Sequence, residues 1–162
     1  MSTEKSEGEL AISELEKWYG PAEPAGMGNA VVVDPLPVSE SLEAVAKQRY
    51  QWFVGKMWQS VGEAAWLENW KEVYRRPEEG QHDILAELKA ISDRDARQSV
   101  PLMIADRENA AAASAALQKV YDSPKILELR VFNLGDGGAM SGLIVAGRTD
   151  DEQTVQVIFL MD

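Results

Sequence analysis

Residues 126–161 read ILELRVFNLGDGGAMSGLIVAGRTDDEQTVQVIFLM, and this stretch decides the fold. Three runs rich in β-branched and other apolar residues, 126–133, 140–147 and 154–161, are separated by Gly-Asp-Gly-Gly and by Thr-Asp-Asp-Glu. Both separators contain residues that favour tight turns between strands. The pattern therefore predicts an antiparallel three-stranded meander at the C-terminal end of the chain.

The middle run of this meander predicts a strand that is covered on both faces. Residues 143–146 are consecutive apolar residues, whereas Glu128 and Arg130 in the first run alternate with apolar neighbours and leave one face partly solvated. Because successive side chains of a strand point to opposite faces, the middle strand needs cover above and below. Helices can cover one face, and the other needs more helix, a linker or a second subunit.

The N-terminal region predicts a short disordered leader at 1–9, followed by one α+β domain at 10–162. A chain of 162 residues is long enough for a single domain with its own core. Proline and glycine exclude a helix from 20–38, which we interpret as an extended linker with a short strand at 30–33.

Residues 39–76 carry two apolar stripes that would lie on opposite sides of one straight helix. The first stripe is Leu42, Ala46, Tyr50, Phe53, Met57, Val61 and Ala64, and the second is Trp66, Trp70, Val73 and Tyr74. We therefore predict two helices, about 40–59 and 61–76, with a break near Gly62. The alternative is one long helix held between its own sheet and a partner.

Two further segments complete the predicted order of elements. Ile84, Leu85, Leu88 and Ile91 predict a helix of about ten residues. Residues 100–105 fit a buried strand, with Asp106 capping an alanine-rich helix at 107–121, or else the first turn of a helix that begins at Pro101. We favour the strand. The fold class predicted is α+β, with N-terminal and central helices packed on a mainly antiparallel sheet.

Composition and charge exclude several classes of function. The chain has 16 basic and 27 acidic residues, a net charge of −11, no cysteine and one histidine. The negative charge opposes binding to nucleic acid and to anionic membranes. The lack of cysteine excludes disulfides and thiolate zinc sites, and one histidine excludes a multi-histidine metal centre in one subunit. We therefore predict no metal and no cofactor.

The location predicted from the sequence is the cytoplasm. The N-terminal residues lack the basic start and apolar run of a signal peptide. No apolar stretch approaches the ~18 residues that a membrane-spanning helix needs.

Three short motifs could carry chemistry, and each has a simpler interpretation. His82 is a weak candidate for a general base, because it stands in an acidic segment at a helix start. Residues 135–138 resemble a phosphate loop but precede a strand, so they predict a hairpin turn. Residues 150–152 are consecutive carboxylates and predict a solvated turn rather than a calcium site.

A dense group of aromatic and basic residues is the main candidate binding site. Its members are Trp66, Trp70, Tyr74, Arg75 and Arg76. Tryptophan, tyrosine and arginine are typical of protein interfaces. The same spacing is also typical of plain core packing.

Three functions compete on this sequence. The first is a non-catalytic module that binds a partner protein or forms a homodimer through its sheet or its tryptophans. The second is a small-molecule-binding protein or simple enzyme with a tryptophan-lined pocket between helix 61–76 and the sheet. The third is an acidic antagonist of a basic partner protein.

Overall fold

The computed structural model describes residues 7–24, 27–136 and 140–161 of the chain. Within these ranges the chain forms seven helices and five strands, which are, in order, α1 (Glu7–Tyr19), β1 (Gly28–Pro35), α2 (Leu42–Val54), α3 (Met57–Val61), α4 (Glu63–Glu68), β2 (Lys71–Arg75), α5 (Ile84–Lys89), α6 (Arg94–Met103), α7 (Ala110–Tyr121), β3 (Ile126–Gly135), β4 (Ser141–Thr149) and β5 (Gln153–Met161).

The five strands form one antiparallel sheet in the order β1-β5-β4-β3-β2. Strands β3, β4 and β5 are neighbours in sequence order, so the predicted C-terminal meander is confirmed, as is the α+β class. The first strand pairs with the last, from Gly28 opposite Leu160 to Pro35 opposite Gln153. Strands β1 and β2 are therefore the two edges of the sheet.

Both faces of the sheet are covered by helices of the same chain. On one face, called face A, Leu143 and Val145 of β4 pack in a core that includes residues of α1, α5, α6 and α7. On the other, called face B, Ile144 and Ala146 pack against α2, α3 and α4. The middle strand is thus hidden on both sides as predicted, and its cover comes from within the subunit.

The predicted helix 61–76 is wrong beyond residue 68. The chain breaks at Gly62, as expected, and also at Gly55, and both glycines have positive φ angles of 105° and 67°. After α4 the chain enters β2, whose Val73 is an extra residue in the pairing with β3. This bulge interrupts the two-residue alternation that would have marked the strand in the sequence.

The strand favoured for residues 100–105 is also wrong. The side chain of Asp93 accepts hydrogen bonds from the N–H groups of Asp95 and Ala96, both at 3.0 Å, and α6 follows with Pro101 inside it. The helix at 107–121 begins later than predicted, at Ala110, with Asn109 rather than Asp106 at its N-terminal cap.

The leader predicted at 1–9 lies mostly outside the described residues, whereas the segment 20–38 lies mostly within them. Residues 1–6 of the predicted leader lie outside the described residues, whereas residues 7–9 belong to α1. The strand predicted at 30–33 is the longer β1, so the segment 20–38 contributes an edge of the sheet. Gly137 and Gly138 of the predicted hairpin turn lie outside the described residues as well.

Candidate functional site

The five residues of the predicted binding site are divided between separate parts of the fold. Trp66 is 1% exposed, and with Trp70 it belongs to an aromatic cluster that covers face B. This cluster, called the aromatic cluster below, consists of Tyr50, Trp58, Trp66, Trp70 and Phe132.

The aromatic cluster fills the space in which a tryptophan-lined pocket was predicted. The rings of Trp70 and Phe132 are stacked 4.8 Å apart, and those of Trp58 and Trp66 are stacked 6.2 Å apart. The hydroxyl of Tyr50 accepts a hydrogen bond from the N–H of Gly135 at 3.0 Å, and burial raises the pKa of Tyr50 above its ordinary value. These tryptophans therefore serve as core on face B.

Tyr74 and Arg76 meet at one carboxylate on the other side of the sheet. The guanidinium of Arg76 donates to both oxygens of Glu87, at 2.6 and 2.8 Å, and the hydroxyl of Tyr74 donates to Glu87 at 2.7 Å. Arg76 also donates to the carbonyl oxygen of Tyr121 at 2.8 Å. Burial, together with the bond to Glu87, raises the pKa of Tyr74 to about 12. The network ties the end of β2 to α5 and α7.

Arg75 stands apart from this network. Its side chain is 57% exposed and lies 3.2 Å from Glu72. An exposed pair of this kind contributes little to stability.

His82 lies in an open cleft of about 500 Å³ between the segment before α5 and the end of α7. The Nδ1 atom of His82 is 3.1 Å from the carbonyl oxygen of Ser123. When Nδ1 donates to this carbonyl, Nε2 is the nitrogen that carries the lone pair. The cleft is lined by Gly80, Gln81, His82, Asp83, Gln118, Asp122 and Pro124.

Asp122 and Asp83 are the two acids of the His82 cleft. Burial raises the pKa of Asp122, although its Oδ1 accepts a hydrogen bond from the N–H of Ile84 at 2.7 Å. Asp83 caps α5 by accepting from Ala86 at 3.2 Å, so it does not orient His82. The cleft offers hydrogen-bonding groups to a polar small molecule.

A second candidate site, missed by the sequence analysis, lies at the open edge of β1. The N–H of Leu36 donates to the backbone carbonyl oxygen of Glu152, the residue before β5, at 2.8 Å. Because the hydrogen-bonding direction alternates along a strand, Val31, Val33 and Pro35 direct their backbone groups away from β5. Among the described residues, no hydrogen bond outside the pairing of β1 with β5 reaches the N–H or C=O of Val33. Pro35, which has no N–H, occupies an outward position where none is needed.

The open part of the β1 edge is short. A Cβ atom at Gly20 would lie 3.0 Å from the carbonyl oxygen of Asn29, so the segment after α1 runs beside that end of the strand. Val31 is 0% exposed, so its outward backbone groups are covered, and the open groups are those of Val33, which is 37% exposed.

A groove of about 520 Å³ adjoins this edge on the face B side. Arg49 of α2 forms a two-bond ion pair with Asp34, and its guanidinium lies 4.6 Å from the centre of the Trp52 ring. Trp52 is half-buried and lies outside the aromatic cluster. The groove is lined by Asp34, Pro35, Pro37, Glu40, Val45, Gln48, Arg49 and Trp52.

The opposite edge of the sheet is closed to further strands. Strand β2 has five residues, of which Lys71, Glu72 and Arg75 are charged, and it carries the bulge at Val73. Charges and bulges are the usual means by which proteins protect an edge strand. Of the two edges of the sheet, only β1 is therefore open to a further strand.

The sequence held some signal for the β1 site. Val31-Val32-Val33 is an apolar run bounded by proline and glycine, which is typical of an edge strand, but nothing local shows that it pairs with residues 153–160. The pairing of Arg49 with Asp34 joins residues 15 positions apart and needs the fold.

No helix within the described ranges is long and apolar enough to cross a membrane. Within residues 7–24, 27–136 and 140–161, no group of three histidine, aspartate or glutamate side chains is placed to hold a metal ion. Comparison with protein-family models, with curated proteins and with solved structures finds no match to the chain.

Proposed function

We propose that this protein is a non-catalytic binding module that takes an extended segment of another polypeptide as a sixth strand along β1. One observation carries the proposal: the backbone groups of Val33 that face away from β5 lie beside a groove of about 520 Å³. In strand addition, main-chain hydrogen bonds supply affinity, and pockets for alternate side chains supply specificity.

The residue types around the groove support this use. Trp52 and Arg49 belong to the types enriched at protein interfaces, and Trp52 is not needed to complete the aromatic cluster on face B. Face B is filled and its cover is intramolecular, so the tryptophans of the aromatic cluster leave no comparable surface. The module works in the cytoplasm, which suits a chain without cysteine.

An uncharged peptide of alternating threonine and valine, six residues long, tests strand addition directly. We expect it to slow hydrogen exchange at the amide of Val33, because that amide would become a donor to the added strand. Exchange followed by NMR measures this. The proposal fails if the amide of Val33 exchanges at the same rate with and without saturating peptide.

Two matched pairs of variants locate the binding surface. Val33→Lys places a charge on the open edge and should abolish peptide binding, whereas Val38→Lys alters a residue 79% exposed in the following loop and should not. Trp52→Ala should weaken peptide binding. Its control, Trp18→Ala, removes another half-buried tryptophan that has a cation over its ring and should leave peptide binding unchanged. Equal effects within either pair would contradict the placement.

A small-molecule function at the His82 cleft is the second candidate. The observation that favours it is the cleft of about 500 Å³, in which His82 is anchored through one ring nitrogen. Native mass spectrometry of gently purified protein should then detect a bound small molecule, and His82→Ala should remove it. An unliganded mass for the wild-type protein speaks against this function.

A further inference from the structure

We propose that the His82 cleft binds a small organic cation that carries N–H donors, such as a primary amine or a guanidinium compound. This inference rests on the small-molecule function, the second candidate above, and names the chemical class of the ligand. Three features of the cleft support it: the donors of α5 that are already used, the acceptors that remain free, and the charges of the lining residues.

The N–H donors at the start of α5 are occupied by carboxylates of this chain. The N–H of Ile84 donates to Oδ1 of Asp122 at 2.7 Å. The N–H of Ala86 donates to Oδ1 of Asp83 at 3.2 Å, and the N–H of Asp83 itself donates to Glu87 at 3.1 Å. Because these donors are satisfied within the chain, an anionic ligand would have to displace one of the carboxylates to reach them.

Three acceptor atoms of the cleft have no partner among the described residues. Asp83 and Asp122 each use Oδ1 for an N–H of α5, which leaves Oδ2 of each carboxylate free. The carbonyl oxygen of Ser123 can only accept, so Nδ1 of His82 carries the proton, and Nε2 of the neutral ring offers a lone pair. A protonated primary amine has three N–H donors and no acceptor, which matches a cleft that is rich in free acceptors.

The carboxylates that line the cleft are not balanced by a nearby cation. Among the described residues no lysine or arginine lines the cleft, and the guanidinium of Arg76 is already bonded to both oxygens of Glu87. Burial is the main cause of the raised pKa of Asp122. The carboxylates of Asp83 and Glu87 also raise it, and together they outweigh the opposing effect of Arg76. The electrostatic surroundings of Asp122 are therefore negative, which favours a cationic ligand.

Charged side chains on the flanks of the cleft do not reverse this sign. Lys119 of α7 lines a different groove, beside Glu14 of α1. Glu78 and Glu79 precede the cleft in the chain and Lys125 follows it, so the exposed flanks add no surplus of positive charge. The net charge of −11 on the whole chain also attracts a cation at long range.

Three small probes test the inference by NMR titration at equal ionic strength: propylammonium, tetramethylammonium and propionate. Propylammonium should shift the amide signals of residues 80–83 and 118–122. Tetramethylammonium has the same charge but no N–H donor, so it should bind about tenfold more weakly. Propionate should leave these signals unchanged. The inference is overturned if propionate binds as tightly as propylammonium, or if the two cations bind equally.

A matched pair of variants locates the cation. Asp122→Asn keeps an oxygen that can accept from Ile84 but removes the charge, and it should weaken propylammonium binding roughly twofold to fivefold, as expected for a partly exposed ion pair. Asp106→Asn removes the same charge from an exposed residue outside the cleft and should leave the affinity unchanged. Equal effects of the two variants would count against the cleft as the site of the cation.

The remaining outcomes separate this inference from the small-molecule function on which it rests. If a lysine amide with an acetylated α-amino group binds more tightly than propylammonium, the cation belongs to a polypeptide and the small ligand is wrong. If native mass spectrometry finds an anionic or neutral molecule that His82→Ala releases, the small-molecule function stands and the cation is wrong. If the purified protein is unliganded and no probe shifts the signals of the cleft, the small-molecule function itself is wrong.

Discussion

Arg76 and Glu87 form a two-bond ion pair in the interior, with their side chains 4% and 10% exposed. The pair joins the residue after β2 to α5, and Arg76 extends it to the carbonyl oxygen of Tyr121 at the end of α7. A buried pair whose hydrogen bonds are all made fixes the relative positions of the elements that it joins. Two of the joined elements, α5 with its cap Asp83 and the end of α7, border the His82 cleft.

Removing the charge of Arg76 should destabilise the fold strongly. Arg76→Met leaves the Glu87 carboxylate buried without its partner, and we expect a loss of about 3–5 kcal/mol in the free energy of unfolding. Arg75→Met, one residue earlier, removes the exposed pair with Glu72 and should cost less than about 1 kcal/mol. Urea denaturation compares the two variants. A similar loss in both would contradict the assignment.

The same carboxylate should contribute to acid sensitivity. Burial alone would raise the pKa of Glu87, but hydrogen bonds from Arg76 and Tyr74 outweigh burial and hold it below its usual value. The unfolded chain therefore takes up this proton first, at about pH 4.3, and stability falls as the pH drops from there through the folded-state pKa.

Glu87→Gln should accordingly lose less stability than the wild-type protein as the pH is lowered below about 4.3. The raised pKa of Asp122 acts in the opposite direction, but Asp122 is present in both proteins. Urea denaturation at a series of pH values gives the difference between them. Parallel pH profiles would show that Glu87 is not responsible.

Replacing Gln156 with an apolar residue should stabilise the protein. Gln156 is 0% exposed on face B, opposite Val32 and Ala146, and neither Oε1 nor Nε2 of its amide has a hydrogen-bond partner among the described residues. An unsatisfied buried polar group costs about 1–3 kcal/mol, so Gln156→Met should raise the free energy of unfolding by a similar amount.

The control for Gln156 is Thr154→Val on the same strand. Thr154 is equally buried, but its hydroxyl donates to the carbonyl oxygen of Gly147 at 2.8 Å, so its loss should not stabilise the protein. Thermal denaturation reports both variants. A destabilised Gln156→Met would mean that the amide is satisfied, for example by buried water.

Arg148 should control the shape of the groove at β1. Its guanidinium donates to the carbonyl oxygens of Pro37 and Glu40 at 3.2 and 2.6 Å, and to Glu128 at 3.0 Å. Arg148→Met should free the loop between β1 and α2, speed exchange of its amides and weaken peptide binding. Arg97→Met, at an exposed residue of α6, is the control. Unchanged affinity in Arg148→Met would show that the loop does not form the groove.

The sequence predicted the meander because its signal is local. The apolar run at 143–146 and the turn residues after Thr149 are sufficient to place β4 between two neighbours that are also close in sequence. By contrast, 100–105 is a short apolar run, and periodicity cannot separate a buried strand from a helix end at that length. The decisive residue, Asp93, lies outside the run and acts through its cap.

The residues of the predicted site are separated in the fold for a related reason. Trp66, Trp70 and Tyr74 are four residues apart, which would align them on a helix, but the chain changes from α4 to β2 between them. Tyr74 therefore points to face A while Trp66 and Trp70 pack on face B. The edge at β1 could not be predicted because its openness depends on pairing with β5, which begins 118 residues later than Pro35.

The closed edge at β2 has a consequence for stoichiometry. A module with two open sheet edges could polymerise, because each edge could pair with a strand of another molecule. Here the bulge at Val73 and the charges around it end the sheet on one side. The segment at Gly20 limits the length of contact on the other. We therefore expect one bound segment per molecule, because β2 does not offer a second edge to a strand.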